Sequence, residues 1–251
     1  TWSLTASFTA QSSYTPLDVT GLNADVIANG TGLANLSTTN AVDAVNNSYI
    51  ALDYERVSGT VTTIGLPLNR TLTSGPIPAL KFLLADYGGN NALRLPTQDQ
   101  SGTLTFTQPL KLSDLYLAVT SGSGVSTINA QIFFEDGTSQ IAAGISVSDW
   151  YGAPNANQPA LISNIGRANR ANNVGNVETG NSKIFYVSLP INADNQTKLI
   201  TSVTITKTSG GLTEPVPNIF AVSGNVIEVP SYNATKVAQI LSQVGIKYSG
   251  G

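Results

Sequence analysis

The chain contains no cysteine, no methionine and no histidine. Without cysteine it has neither a disulfide nor a thiol nucleophile, and cysteine usage cannot indicate its redox compartment. Without histidine it has no imidazole base, no Ser-His-Asp triad and no histidine ligand for zinc. Its 15 acidic residues show no spacing that marks a glycosidase pair. We therefore expect a protein that does not catalyse a reaction.

Charged side chains are also scarce. They make up 11% of the residues, against about 25% in an average soluble domain, and the formal net charge is −3. The 12 lysines and arginines are scattered and form no basic cluster in the sequence, so nucleic-acid binding is set aside. No apolar run approaches the roughly 18 residues of a membrane span. Solubility must rest on the plentiful Thr, Ser, Asn and Gly.

Short apolar segments with the pattern of β-strands are abundant. Six examples are 2–8, 103–107, 114–119, 129–134, 183–189 and 202–207. Several alternate apolar and polar residues with a period of two, as half-buried strands do. Gly-rich turn signals separate them, and the pair Asp136-Gly137 predicts a β-hairpin. With 251 residues, 41% of them apolar, the pattern predicts one large all-β domain, a sandwich or a barrel.

One segment near the C-terminus has a helical pattern instead. Apolar residues recur there at i, i+3, i+4 and i+7, at Val237, Ile240, Leu241 and Val244. This spacing predicts a short amphipathic helix over 233–244, following a last strand at 226–229.

A series of blocks along the chain has a familiar order. The blocks are Asp18–Gly30, Ala85–Leu95, Leu115–Gly124, Phe134–Thr138, Ser148–Gly152, Ile165–Arg170 and Asn218–Ser223. Together they resemble a jelly-roll module of large secreted and surface-anchored proteins of Bacteroidota, the kind exported by the type IX secretion system. The latter part is also similar to the galactose-binding-like sandwiches appended to bacterial glycoside hydrolases. The resemblance implies a jelly-roll β-sandwich, export, and an accessory or adhesive role without catalysis.

This resemblance suggests a division of the chain into three parts. Residues 1–14 would form an N-terminal strand or extension, 15–224 the jelly roll, and 225–251 a C-terminal strand and helix. The chain opens at Thr1 rather than at methionine, which we interpret as signal-peptide removal, with a cloned fragment as the alternative. We accordingly expect an extracellular or cell-surface location.

Asp149, Trp150 and Tyr151 form the first candidate ligand site. Aromatic rings can stack on the C–H groups of a sugar while a neighbouring carboxylate accepts hydrogen bonds from its hydroxyls. The alternative is that Trp150 closes one end of the sandwich, since large rings supply much core area.

Arg167 and Arg170 lie in an Asn-rich stretch and form the second candidate. Guanidinium groups can grip the carboxylates of an acidic sugar or of a protein partner. Alternatively, the two arginines lie in a solvated loop, or order loops by pairing with Asp149 or Asp86.

The run Asp86–Asn91 is the candidate metal site, with Asp86 and Asn90 as oxygen ligands. Hard cations such as Ca²⁺ require several such oxygens, so a structural Ca²⁺ is the one cofactor considered. The alternative is an ordinary turn, in which Asp and Asn bond their own backbone.

Two functions of different class follow. The first is a non-catalytic adhesion or carbohydrate-binding module whose partner is a glycan or surface polymer. The second is a structural subunit of an extracellular fibre or surface layer, joined by donated terminal strands. The residues predicted to mediate that assembly are Trp2, Leu4, Phe8, Ile240 and Leu241.

Overall fold

The computed structural model of the chain describes residues 12–57, 59, 62–155, 158–171, 180–210 and 214–227. In chain order its elements are β1 (Ser12–Leu17), β2 (Val19–Thr20), β3 (Ile27–Ala28), α1 (Ala34–Ser37), β4 (Asn47–Ile50), β5 (Thr71–Thr73), β6 (Lys81–Leu83), β7 (Leu93–Arg94), β8 (Ser101–Leu110), β9 (Leu112–Gly122), β10 (Ser126–Phe134), β11 (Ser139–Val147), β12 (Ala160–Ile165), β13 (Arg167–Asn169), β14 (Ser182–Pro190), β15 (Ile200–Lys207) and β16 (Val216–Ile227), with a 3-10 turn at Ala193–Asn195.

Eight of these strands make a jelly roll. The first sheet has the order β1-β16-β9-β14, and the second has the order β8-β15-β10-β11. Counted from one to eight along the chain, these orders read 1-8-3-6 and 2-7-4-5, and every neighbouring pair is antiparallel. Two interlocked Greek keys produce this arrangement. The prediction of an all-β jelly-roll sandwich is confirmed.

Short strands extend both sheets. β12 lies beside β14 and β7 beside β16, which makes the first sheet six-stranded, and β2 lies beside β8, which makes the second five-stranded. Between the sheets lies a core of aliphatic side chains that includes Leu117, Ile132 and Ile205. β10 alternates buried and half-exposed residues along its whole length, because its other face points away from that core.

The six-stranded sheet is covered on both faces. The described residues of 23–92, which contain α1 and β3 to β6 and which we call the covering layer, pack on the face that points away from the five-stranded sheet. Phe82 of this layer packs on Tyr186, and Tyr49 packs edge-on against Phe220. For this reason β16 is buried without interruption from Val216 to Asn225 rather than at every second residue.

The hairpin predicted at Asp136-Gly137 is confirmed, since it joins β10 to β11. Gly137 has a positive φ of 81°, a conformation that costs glycine little. The Asp136 carboxylate accepts hydrogen bonds from both the backbone N–H and the hydroxyl of Thr138, and so holds the turn closed.

The predicted domain boundaries were wrong in one respect. β1 pairs with β16 from Ser12 opposite Ile227 to Leu17 opposite Val222. The boundaries after residues 14 and 224 therefore cut two strands of one ladder, and the last strand begins at Val216 rather than at 226. A continuous strand joins what the division based on the resemblance had separated. The predicted strand at 2–8, the helix at 233–244 and all five predicted assembly residues lie outside the described residues.

Candidate functional site

Trp150 lies in the core rather than on a binding surface. Its side chain is 2% exposed and packs edge-on against Tyr49, with ring centroids 5.0 Å apart and an interplanar angle of 81°. A ring in this position cannot stack on a sugar, so the prediction of Trp150 as a ligand platform was wrong. The alternative, packing within the fold, is what the structure shows, because the covering layer closes over this end of the six-stranded sheet.

The Asp149 carboxylate is occupied by backbone N–H groups. One oxygen accepts from Tyr151 at 2.8 Å and from Gly152 at 2.9 Å, and the other accepts from Gly124 at 2.5 Å. These bonds tie the turn between β9 and β10 to the loop that follows β11. Asp149 therefore orders loops instead of accepting hydrogen bonds from a ligand, which corrects its predicted role.

Arg167 and Tyr151 form a packed pair. The guanidinium carbon of Arg167 lies 4.0 Å from the centroid of the Tyr151 ring and 5.9 Å from that of Trp150, a cation–π arrangement. Because Arg167 covers a face of the half-buried Tyr151 ring, the structure brings these predicted site residues together without leaving an open platform.

Arg170 fastens the segment 38–47 to the body of the protein. Its guanidinium donates to the Thr38 hydroxyl at 2.7 Å, to the Thr38 carbonyl at 3.0 Å and to the Asn46 side chain at 3.2 Å. Arg94 donates to two further carbonyls of this segment, at 2.6 and 3.2 Å. Arg170 thus orders a loop, as the alternative held, but its partners are neutral oxygens rather than Asp149 or Asp86.

The run Asp86–Asn91 forms a turn. The Asp86 carboxylate accepts the N–H of Gly88 at 2.8 Å, and the Asn90 side chain donates to the carbonyl of Leu22 at 3.3 Å. Within the described ranges, no group of three or more acidic side chains is arranged to hold a metal ion. The geometry agrees with the turn alternative for Asp86 and Asn90.

A buried carboxylate that the sequence did not single out lies beneath this turn. Asp25 is 6% exposed, and its carboxylate accepts a hydrogen bond from Asn91 at 2.5 Å and one from the N–H of Ile27 at 3.3 Å. Burial raises the pKa of Asp25 to about 6, although the bonds from Asn91 and Ile27 act in the opposite direction. The only sequence signal was the apolar run that follows Asp25. Asp25 is a structural acid, buried within the covering layer.

An open groove lies where β1 passes into β2. Its larger part has a volume of about 380 Å³, and an adjoining part of about 200 Å³ shares three lining residues with it. The lining of the larger part combines apolar side chains, among them the half-buried Leu17, Val19 and Leu22, with the polar side chains of Asp18, Arg70 and Thr107. We call the two parts together the β1–β2 groove. Its size is that of a small-molecule site, since such sites typically measure about 300–1,000 Å³.

Arg70 supplies hydrogen-bond donors to this groove. Its backbone is held on both sides, by a bond to the carbonyl of Pro67 at 2.9 Å and by one from the N–H of Leu84 at 2.9 Å. Its guanidinium makes one long ion pair, 3.8 Å from the Asp86 carboxylate, whose side chain is 82% exposed. An ion pair so exposed contributes little, so Arg70 can exchange it for a ligand.

Asp18 supplies acceptors of opposite charge in the same groove. Its backbone carbonyl accepts from the N–H of Thr107 at 3.1 Å, which fixes the Asp18 backbone against β8. Asp18 and Arg70 lie far apart in the sequence and line one groove only because the hairpin of β5 and β6 packs beside β1. Residue pattern alone carried no signal for this site.

No helix in the described parts of the chain is long and apolar enough to cross a membrane. No protein-family model matches the chain, and no curated protein matches it. The resemblance to exported jelly-roll modules of Bacteroidota therefore stays a prediction from the sequence.

Proposed function

We propose that the protein is a non-catalytic, extracellular module that binds carbohydrate at the cell surface through the β1–β2 groove. The observation that carries this proposal is that Arg70 and Asp18 line the same groove as the apolar side chains of Leu17 and Leu22. A sugar presents hydroxyl groups that both donate and accept hydrogen bonds, and C–H faces that pack on apolar side chains. The groove supplies a partner for each of these groups.

The charges in the groove indicate which sugars it prefers. Arg70 and Asp18 carry opposite charges, so the pair adds no net charge to the groove. A neutral sugar can bond to both residues, whereas an acidic sugar would gain from Arg70 and be repelled by Asp18. The two joined cavities favour a ligand longer than one sugar ring. We therefore assign a neutral oligosaccharide to the groove.

Replacing Arg70 with glutamine is expected to weaken glycan binding about tenfold or more, since a hydrogen bond to a charged group contributes roughly 1.5–3 kcal/mol. A glycan array identifies the ligand, and calorimetry with the free oligosaccharide measures the change. Arg56→Gln is the matched control, because Arg56 is exposed and lies outside the groove.

Failure of the intact protein to bind any glycan on the array would remove the proposal. Equal affinities of the Arg70→Gln variant and the native protein would show that binding takes place elsewhere.

A second candidate function, a structural subunit of an extracellular fibre or layer, is favoured by one observation. Ser12 at the start of β1 pairs with Ile227 at the end of β16. The segments that precede and follow the described jelly roll are therefore attached at the same end of the six-stranded sheet, beside its edge strand β1. From such a position a terminal segment can add to the edge of a neighbouring sheet.

If the protein assembles in this way, light scattering shows mass increasing with concentration, and electron microscopy shows filaments or layers. A monomer at every concentration contradicts the assembly function without affecting the groove, because ligand binding needs only one subunit.

A further inference from the structure

The outer face of the five-stranded sheet carries an ordered array of hydroxyl groups. The side chains at its outward positions include Thr103 and Thr105 of β8, Ser202, Thr204 and Thr206 of β15, and Thr20 of β2. Thr204 lies opposite Thr103, and Ser202 opposite Thr105. We call this surface the hydroxyl face.

The hydroxyl groups of this face are aligned by pairing across the strands. The hydroxyls of Thr103 and Thr204 lie 2.8 Å apart, and those of Ser101 and Thr206 lie 2.7 Å apart. Neighbouring strands lie about 4.8 Å apart, and outward residues of one strand repeat about every 6.7 Å. The face therefore presents a regular grid of groups that both donate and accept hydrogen bonds.

This face has no charge of its own. Lys207 is the only charged residue in the five strands β2, β8, β10, β11 and β15, all of which the structure describes. Its side chain is fully buried and donates to the carbonyl of Pro96 at 2.6 Å. A surface without charged groups offers nothing to attract an anionic polymer.

The face is also a poor protein interface. The centres of protein interfaces are rich in aromatic residues, methionine and arginine, whereas Ser and Thr are rarely the residues that dominate binding. Apolar side chains border the array, among them Phe133, which is half-exposed, and Ile141, which is 61% exposed. The apolar side chains at the border can pack on the C–H faces of a sugar polymer, and the hydroxyl grid can exchange hydrogen bonds with the polymer's hydroxyls.

We propose that the hydroxyl face docks on the surface of an insoluble, neutral polysaccharide. Repeated hydroxyls of the polymer exchange hydrogen bonds with the Thr and Ser grid, while Phe133 and Ile141 pack on its C–H groups. This inference extends the proposed function to a second surface. The two surfaces adjoin, because Thr107 lines the β1–β2 groove and follows Thr105 along the exposed side of β8.

The test measures adsorption to microcrystalline cellulose and to insoluble chitin, with the intact chain. The variant Thr105→Lys/Thr206→Lys places two ammonium groups on the face, at positions that are not directly opposite each other. Because docking would strip water from charges that find no partner, adsorption should fall about tenfold or more. The control Ala44→Lys/Thr63→Lys adds the same charge at exposed positions of the covering layer and should adsorb like the native protein.

Three results would overturn the inference. The first is no adsorption of the native protein to either polysaccharide. The second is adsorption that the Thr105→Lys/Thr206→Lys variant retains while its circular dichroism and melting temperature match the native values. The third is incorporation into growing ice without adsorption to polysaccharide, which would assign the face to ordered water. None of these results bears on the β1–β2 groove. If Arg70→Gln abolishes the binding of free oligosaccharides, the groove is supported even when the hydroxyl face is not, so the two proposals fail independently.

Discussion

Replacing Trp150 with alanine lowers the free energy of unfolding by about 4 kcal/mol, the cost of removing a large ring from a packed core. Trp150 is 2% exposed and contacts Tyr49 and Tyr151. Its backbone also bridges two strands, since its N–H donates to the carbonyl of Ser121 and its carbonyl accepts from the N–H of Lys183. Because these backbone bonds hold the chain in place, the surroundings cannot collapse into the space that the indole leaves. Urea denaturation measures the change.

Tyr151→Ala is the control for this prediction, because the Tyr151 ring is only half-buried beside Arg167. It should cost about 1 kcal/mol, the centre of the range measured for point mutants in general. If Trp150→Ala keeps native stability and loses only glycan binding, then Trp150 is a ligand platform after all and its place in the core is contradicted. Loss of binding by an unfolded Trp150→Ala protein would say nothing about the groove.

Stability should depend on pH through Asp25. Burial raises the pKa of this carboxyl from 3.8 to about 6, so the folded protein holds a proton that the unfolded chain has already released. Between these two values stability falls as pH rises, because the unfolded state binds fewer protons. The stability that Asp25 contributes is full below the unfolded pKa and is lost as pH rises through about 6. From about pH 4 to about pH 7.5 the loss amounts to about 2.5 kcal/mol.

Asp25→Asn isolates this effect because an amide does not titrate. Urea denaturation measures the free energy of unfolding of both proteins. Between about pH 4 and about pH 7.5, this free energy should fall by about 2.5 kcal/mol more in the native protein than in Asp25→Asn. Asp86→Asn is the matched control, since Asp86 is exposed and its replacement removes one carboxylate from the surface. Parallel pH profiles of native protein and Asp25→Asn would show that Asp25 stays charged in the fold.

Several strands of the jelly roll could be predicted because their residues alternate. The segments 103–107 and 202–207 became β8 and β15, each with one face in the core, and the turn signal at Asp136-Gly137 became a hairpin. The boundaries could not be predicted in the same way. Residues 216–225 are buried on both faces, so their pattern lacks the alternation that marks a strand, and the strand was placed ten residues too late.

The candidate site was harder to predict than the fold. Trp150 and Asp149 are residue types that commonly bind sugars, but residue type does not show whether a side chain is buried. The covering layer buries Trp150, and backbone N–H groups occupy the Asp149 carboxylate. Arg70 and Asp18 carry no motif. They form a groove because the connection between β1 and β8 folds back across the sheet and places β6 beside β1.

What the sequence determined by itself was the local chemistry. The absence of His and Cys removed whole classes of catalysis, and period-two patterning required sheets with one apolar face, since each second side chain points the same way. Only the tertiary structure decided which polar residues reach solvent, which of them meet, and which face stays open. These are properties of long-range packing, where residues such as Asp18 and Arg70, or Thr103 and Thr204, become neighbours only when the strands assemble.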